Sequence, residues 1–292
     1  MQIIDGKFSA TQIKEKIKIR ATAFLEKAGR KPHLAAVLVG NDGASMTYVG
    51  AKIKACEEVG FESTLVELPE NISEKALLSE IVKLNNNTEL DGYIVQLPLP
   101  EHINETAITL AVSPEKDVDG FHPMNLGKMM LGLPTFLPAT PFGITMLFEQ
   151  YGIETKGKKC LIIGRSMIVG TPLALLLSRN SPYGNATVTL AHSRTQNLEK
   201  IAREADIIIA ALGKPEFLKA DMVKEGAVVI DVGITRVADA SKKSGFTLKG
   251  DVDYANVAPK TSFITPVPGG VGPMTIVALL QNTLLAAERK YS

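Results

Sequence analysis

"KGKKCLIIGRSMIVGTPLALLLSRN", residues 156–180, passes from a short apolar run through a glycine into a second apolar run with helical spacing. A continuous apolar run of this length, broken by Gly164, has the pattern of a buried parallel strand. Strand, glycine and helix in that order form the first turn of a nucleotide-binding α/β unit. The usual fingerprint is Gly-x-Gly-x-x-Gly. Gly164 keeps the first place, Ser166 and Val169 fill the next two, and Gly170 comes one residue late. The helix N-terminus offers free N–H groups and a positive dipole end to a phosphate. Ser166 can add a hydroxyl and Arg165 a charge-assisted bond. The same pattern also serves as a tight strand-to-helix connection in any α/β protein, so the turn alone leaves both readings open.

Downstream, "ATVTLAHS" (186–193), "ADIIIAAL" (205–212) and "GAVVIDVG" (226–233) read as three more strands, which makes a second α/β unit. An NAD site tends to carry Asp or Glu near the end of the second strand, on the ribose 2′-hydroxyl. Here that strand runs into His192, Ser193, Arg194 and Thr195, with no acid. A hydroxyl and a guanidinium suit a 2′-phosphate, which argues for NADP over NAD. Asp231, Gly233 and Ile234 follow at a strand's C-terminal end, where ligands sit in open α/β sheets, and Gly213 ends the strand before. Both glycines would let the backbone approach a flat ring, or serve as plain turn glycines.

Upstream, a helix is expected from Ser9, as cap, to about Gly29. "HLAAVLVG" (33–40) reads as a buried parallel strand, and Ser45 caps a helix to about Val59. A strand at 61–69, a Ser73-capped helix at 73–86 and a strand at 90–100 follow. The alternation implies a parallel α/β sheet. Segment 111–141 is rich in Pro, Gly and Asp and reads as irregular, the kind of stretch that carries function or joins domains. A helix at 142–153 and a last helix from Pro273 to about Ala287 complete the pattern.

Tyr48 and Lys52 stand four residues apart, on one face of their helix. Tyr-x-x-x-Lys is a catalytic pairing beside nicotinamide cofactors, although most such pairs are solvated helix surface. Gln96 ends an apolar strand. Asp117 and Asp119 sit in "KDVDGF", which reads as a turn. The scattered His33, His102, His122 and His192 form no ligand spacing, and no metal site is expected.

The 292 residues most simply make two domains. A formal net charge of +1 gives no lure for nucleic acid or anionic membrane, and the lack of Trp argues against a base-stacking platform. Cys56 and Cys160 belong to no Cys-x-x-Cys pair and read as buried free thiols, which fits a reducing compartment. "MQIIDGKFSA" has no basic region followed by an apolar run, so no signal peptide is expected, and no run approaches the ~20 apolar residues of a membrane span. A cytoplasmic location follows as an expectation.

Together, "SMTYVGAKIKAC" (45–56), "DGYIVQLPLP" (91–100), "PEKDVDGFHPMNLG" (114–127), "IIGRSMIVGTP" (162–172), "DVGI" (231–234), "GDVD" (250–253) and "TPVPGGVGPMT" (265–275) resemble one family across nearly the whole chain. It is the bifunctional methylenetetrahydrofolate dehydrogenase/methenyltetrahydrofolate cyclohydrolase family. The resemblance implies two α/β domains flanking a cleft, the C-terminal one a Rossmann-like NADP-binding domain. It places a folate and catalytic domain at 1–140, completed by the C-terminal helix 273–292, and the NADP domain at 141–272. It implies NADP-dependent oxidation of 5,10-methylenetetrahydrofolate, hydrolysis of the methenyl product to 10-formyltetrahydrofolate, and a homodimer. It puts the catalytic Lys on Lys52, its partners on Tyr48 and Gln96, and the folate-binding Asp on Asp119. The cofactor contacts fall on Gly164, Arg165, Ser166, Ser193 and Ile234. Two positions depart from the family pattern: Ala139, where many relatives carry Cys, and Gly50, inside the Tyr-to-Lys helix. A short-chain dehydrogenase would place its Tyr–Lys pair after the glycine turn, not before it. A shikimate-type dehydrogenase shares the plan but not "QLPLP" and "KDVDGFHP". A non-catalytic NADP or folate sensor would not need all four polar residues.

Overall fold

The computed structural model describes residues 1–242 and 245–291. Ser292, the end of the helix expected over 273–292, lies outside the described residues. In chain order the elements begin β1 (Gln2–Ile3), α1 (Gly6–Ala28), β2 (His33–Val39), α2 (Gly43–Glu58), β3 (Glu62–Leu68) and α3 (Glu74–Asn86). There follow β4 (Gly92–Val95), α4 (Glu105–Ala111), α5 (Pro123–Leu131), α6 (Ala139–Gln150), β5 (Lys159–Ile163), α7 (Gly170–Ser178), β6 (Thr187–Ala191) and α8 (Leu198–Glu204). The rest are β7 (Ile207–Ala210), β8 (Ala227–Asp231), β9 (Thr235–Ala238), β10 (Phe246–Lys249), α9 (Tyr254–Val257), β11 (Thr261–Ile264) and α10 (Val271–Arg289). The chain divides into two compact units: Thr11–Ala139 with Ile276–Ser292, and Met1–Ala10 with Thr140–Thr275.

The first unit is built on a parallel sheet of order β3-β2-β4. β2 is buried at every position, as suits a central strand, while β3 has only exposed and half-buried residues, as suits an edge strand. Val37, Val39, Leu77, Ile81, Tyr93 and Ile108 share one core cluster on this sheet. β4 is shorter than the expected 90–100, because the chain leaves the sheet at Gln96 and cannot re-enter through prolines. Segment 116–119 runs beside it: the Tyr93 N–H donates to the Lys116 carbonyl at 3.0 Å.

Three expectations need correction here. The 111–141 segment holds a helix, α5, with Pro123 in its first turn, the His122 ring accepting from the Met124 N–H at 3.0 Å, and Gly132 ending it at φ 75°. The α2 cap is Asp42, not Ser45: its carboxylate accepts from the Ser45 N–H at 2.8 Å. Likewise α1 starts before Ser9, and the Asp5 carboxylate accepts from the Phe8 N–H at 2.9 Å. An ionised carboxylate facing the positive end of the helix is the better cap in both places.

The second unit carries a six-stranded sheet of order β1-β11-β8-β7-β5-β6, parallel throughout. Leu161, Ile163, Ile208, Val229 and Ile264 anchor its core cluster. β1 pairs with β11, so the first ten residues belong to this unit, whereas the sequence reading assigned them to the other domain. Two residues of strand are too short to show a period. β9 and β10 form an antiparallel hairpin that the sequence reading does not contain. α10 begins two residues before Pro273, which still lies in the first turn, where a missing N–H leaves no helical bond unmade. Cys56 and Cys160 are free and buried, and burial pushes both thiols up to about 12. Among the described residues no helix is long and apolar enough to cross a membrane.

Candidate active site

In the first unit the chain leaves β2 for β3 on one side and reaches β4 on the other. Ligands of open α/β sheets bind outside the carboxyl ends of the strands where the order reverses in this way. α2, with Tyr48 and Lys52, follows β2, and Gln96 follows β4. The two loops bring their side chains together: Lys52 Nζ donates to Gln96 Oε1 at 3.0 Å. Gln96 is itself held, since its Nε2 donates to the Leu97 carbonyl at 2.6 Å and its backbone N–H to the Val37 carbonyl at 2.9 Å. Burial pushes the Lys52 amine below the ordinary lysine range, and the Asp119 charge partly opposes it. Asp119 shows the mirror image: burial pushes its carboxyl up, the Lys52 charge pulls it down, and Asp117 adds to the rise. Tyr48 stands one turn before Lys52 and is 40% exposed.

The two aspartates of "KDVDGF" part ways. Asp117 forms the turn expected from the sequence: its carboxylate accepts from the N–H groups of Gly120, Phe121 and His122 and from the Asn125 amide at 2.7–3.2 Å. Asp119 remains beside Lys52. Its segment is fixed from behind by buried Asn282 of α10, whose amide donates to the carbonyls of Val118 and Leu137 at 2.8 and 2.9 Å. The Ala139 N–H also donates to the Asp119 carbonyl at 3.2 Å. Around Gly50 a Cβ would meet nothing within 4 Å, so no packing demand explains that glycine.

In the second unit the reversal falls at β5, between β7 and β6. Gly164 sits there at φ 122°, and a Cβ on it would lie 2.0 Å from the Ala211 carbonyl oxygen. A Cβ on Gly170 would lie 1.9 Å from the Gly164 carbonyl oxygen. The turn is thus too tight for side chains at both glycines, although the fingerprint is offset. Ser166 Oγ accepts from the Val169 N–H at 3.2 Å, and Arg165 and Ser166 are exposed. After β6, Thr195 Oγ1 accepts from the His192 N–H at 2.9 Å, which leaves Ser193 and Arg194 on the exposed turn. A bare glycine cradle, two hydroxyls and two guanidiniums with no acid at the end of β6 fit NADP chemistry. Ile234 is exposed just past β8.

Asp231 does not face this crevice. It is buried and accepts from the N–H groups of Gly233, Asp251 and Val252 at 2.9–3.0 Å, and burial pushes it up to about 7 against those bonds. Asp251, buried beside it, was not singled out from the sequence. An aspartate in "GDVD" looks like any turn residue until its distant partners are known.

These features define a two-unit α/β protein whose second unit is a Rossmann-like nucleotide-binding domain. The family profile described as tetrahydrofolate dehydrogenase/cyclohydrolase, catalytic domain, matches residues 4–119, and that family's NAD(P)-binding domain matches residues 138–291. The chain is 62% identical over 290 residues to the "Bifunctional protein FolD" of Cytophaga hutchinsonii, covering 99% of this chain and 100% of that one. It is similar to the crystal structure of the bifunctional enzyme FolD from Campylobacter jejuni, at 47% identity, TM-score 0.93 and 99% coverage of both chains. It is also similar to the Trypanosoma brucei methylenetetrahydrofolate dehydrogenase-cyclohydrolase complexed with NADP cofactor and inhibitor. That match has 38% identity and a TM-score of 0.94, over 99% of this chain and 98% of that one. The chain belongs to the tetrahydrofolate dehydrogenase/cyclohydrolase family.

Proposed function

We propose that this chain oxidises 5,10-methylenetetrahydrofolate with NADP⁺ and hydrolyses the 5,10-methenyl product to 10-formyltetrahydrofolate, in one-carbon metabolism. The observation that carries this reading is the Lys52–Gln96 hydrogen bond at the reversal point of the first unit, with Asp119 charge-coupled to Lys52. NADP⁺, when bound to the second unit, supplies the hydride acceptor. The substrate's nitrogens supply the electrons, so this chain's task in oxidation is to position.

Hydrolysis needs proton movement. Water attacks the methenyl carbon and loses a proton. The bond from that carbon to N5 then breaks as N5 takes up a proton and the new hydroxyl gives up its own to become the formyl carbonyl, so that one proton is released overall. Burial pushes the Lys52 amine below the ordinary lysine range, which favours its neutral form and suits it to take the proton from water. Gln96 holds that amine in place. Tyr48 packs against the folate and orients Lys52, and Asp119 accepts from the pterin N–H groups. Gly164, Arg165, Ser166, Ser193 and Ile234 form the cofactor contacts. The protein works as a cytoplasmic homodimer, which light scattering on the purified chain checks directly.

The decisive assay gives the protein methylenetetrahydrofolate with NADP⁺ or NAD⁺ and follows reduced cofactor and folate products separately. Reduced NADP together with accelerated 10-formyltetrahydrofolate is expected. Methenyl hydrolysis no faster than a blank would leave a dehydrogenase alone. Within the cofactor site, Arg165→Ala is expected to raise KM for NADP⁺ by about tenfold and to change NAD⁺ much less, the size of one charge-assisted bond. Equal weakening of both cofactors would place Arg165 away from the extra phosphate.

A further inference from the structure

Asp251 follows β10 and is fully buried, yet among the described residues no hydrogen bond reaches its Oδ1. Its other oxygen is used twice. Oδ2 accepts from two consecutive N–H groups, Leu212 at 2.6 Å and Gly213 at 3.0 Å. These belong to the turn after β7, whose Ala211 carbonyl is the atom that walls Gly164. On its other side the Asp251 carboxylate lies against the loop after β8. A Cβ on Gly233 would stand 2.3 Å from both Cγ and Oδ1. That loop is tied to the Asp251 backbone as well, because Asp231 Oδ1 accepts from the N–H groups of both Gly233 and Asp251, at 3.0 and 2.9 Å. One side chain therefore joins the two loops that follow β7 and β8, next to the glycine cradle after β5.

We propose that Asp251 is a positioning residue of the cofactor site: its bonded oxygen holds the turn 211–213 while the rest of the carboxylate packs against the loop 232–234. The inference rests on the reading of the second unit as the NADP site. The turn Leu212–Gly213 has its N–H groups withdrawn into the protein before any cofactor arrives, and Gly213 keeps φ 68°. A site held this way loses less order on binding than one that folds around its ligand. The one-oxygen geometry also separates shape from charge. An asparagine carbonyl can accept both N–H groups from the same place, while its amide occupies the position of the unbonded Oδ1. An alanine can accept neither.

The test is NADP⁺ binding by calorimetry to the full chain, with hydrolysis of supplied methenyltetrahydrofolate measured in parallel, since that step uses no cofactor. Asp251→Ala is expected to raise the Kd for NADP⁺ by tenfold or more, well beyond any loss of hydrolysis, and Asp251→Asn to stay within about threefold of the parent. Binding by Asp251→Ala within threefold of the parent overturns the proposal. So does an Asp251→Asn as weak as the alanine variant, which would mean charge rather than positioning, and so does a fall in hydrolysis equal to the fall in affinity. If Asp251→Ala does not fold, hydrogen exchange on the unaltered protein decides. The Leu212 and Gly213 amides should be slow without cofactor and change less than threefold with NADP⁺; a tenfold slowing on binding overturns the proposal. An unaltered protein that binds no NADP⁺ overturns the functional reading itself, which is a distinct result.

Discussion

Lys52→Met should lower methenyltetrahydrofolate hydrolysis by about 10²–10⁴-fold, the usual worth of positioned acid–base catalysis, while a measurable part of the dehydrogenase activity survives. Methionine keeps most of the stem length and suits a buried site, so the change removes little but the amine. In the proposed mechanism hydrolysis depends on that amine, because a proton must leave water. Oxidation does not, because hydride departure needs alignment rather than a base. The amine is bonded to Gln96 at 3.0 Å and lies below its ordinary range through burial. The acid limb of the hydrolysis profile should therefore fall below pH 10.5, the value of an unburied lysine, with the rate rising as the amine loses its proton. Asp119 holds that proton on, so Asp119→Asn should move the limb to still lower pH. Separate rate measurements for the two reactions, each across pH, test this. Equal loss of both activities in Lys52→Met with folate binding intact would end the division of labour. A limb that stays put in Asp119→Asn would remove Lys52 as the titrating group.

Where the physics was local, the sequence was readable. An unbroken apolar run suits a strand covered on both faces, so 33–40 reads as a buried parallel strand, found at His33–Val39, and the run before Gly164 as the strand entering the glycine turn, found at Lys159–Ile163. Four-residue spacing put Tyr48 and Lys52 on one helix, and a polar residue ending an apolar strand marked Gln96. That Lys52 meets Gln96 depends on the order β3-β2-β4, which periodicity does not encode. The same limit explains the misses. Asp5 and Asp42 outrank the nearby serines as caps because their carboxylates face the helix start, a matter of chain direction before the helix. α5 hid in a Pro- and Gly-rich stretch because Pro123 and Gly132 mark its two ends, where they bound a helix without breaking it, while Gly127 weakens the helical pattern between them. Asp117 and Asp119 are alike in sequence. Only the packing of the segment beside β4 makes one a turn former and leaves the other beside Lys52.

Arg30→Met should cost the first unit about 3 kcal/mol, the lower end of the penalty for removing one partner of a buried ion pair. Asp91 is wholly buried just before β4 and takes a two-pronged bond from the Arg30 guanidinium at 2.7 and 2.8 Å. It also takes Lys290 at 3.0 Å and the His33 N–H at 2.9 Å, and the latter ties the start of β2 to the start of β4. Those strands carry Gln96 and the approach to α2 at their far ends, so the pair sets the strand register on which the Lys52–Gln96 contact depends. Burial alone would push the Asp91 carboxyl up; the Arg30, His33 and Lys290 bonds and the Lys290 charge outweigh it and hold the group below 3.8. The sign of the pH dependence follows. With a depressed folded value, Asp91 contributes stability that is fully present above 3.8 and is lost as pH falls through the folded value. Without Arg30 the burial effect regains weight, the folded value rises, and ionised Asp91 is penalised instead. The deficit of the variant should therefore grow from pH 4.5 to 7. Because the chain has two units, a single melting temperature is a poor probe, and exchange of the β2 amides reports the first unit directly. Asp91→Asn added to Arg30→Met should recover part of the loss, since it removes the unpaired charge. A variant whose β2 amides exchange at the parent rate at both pH values would show that Lys290 and the His33 N–H suffice, and that the Arg30 pair does not hold the strands.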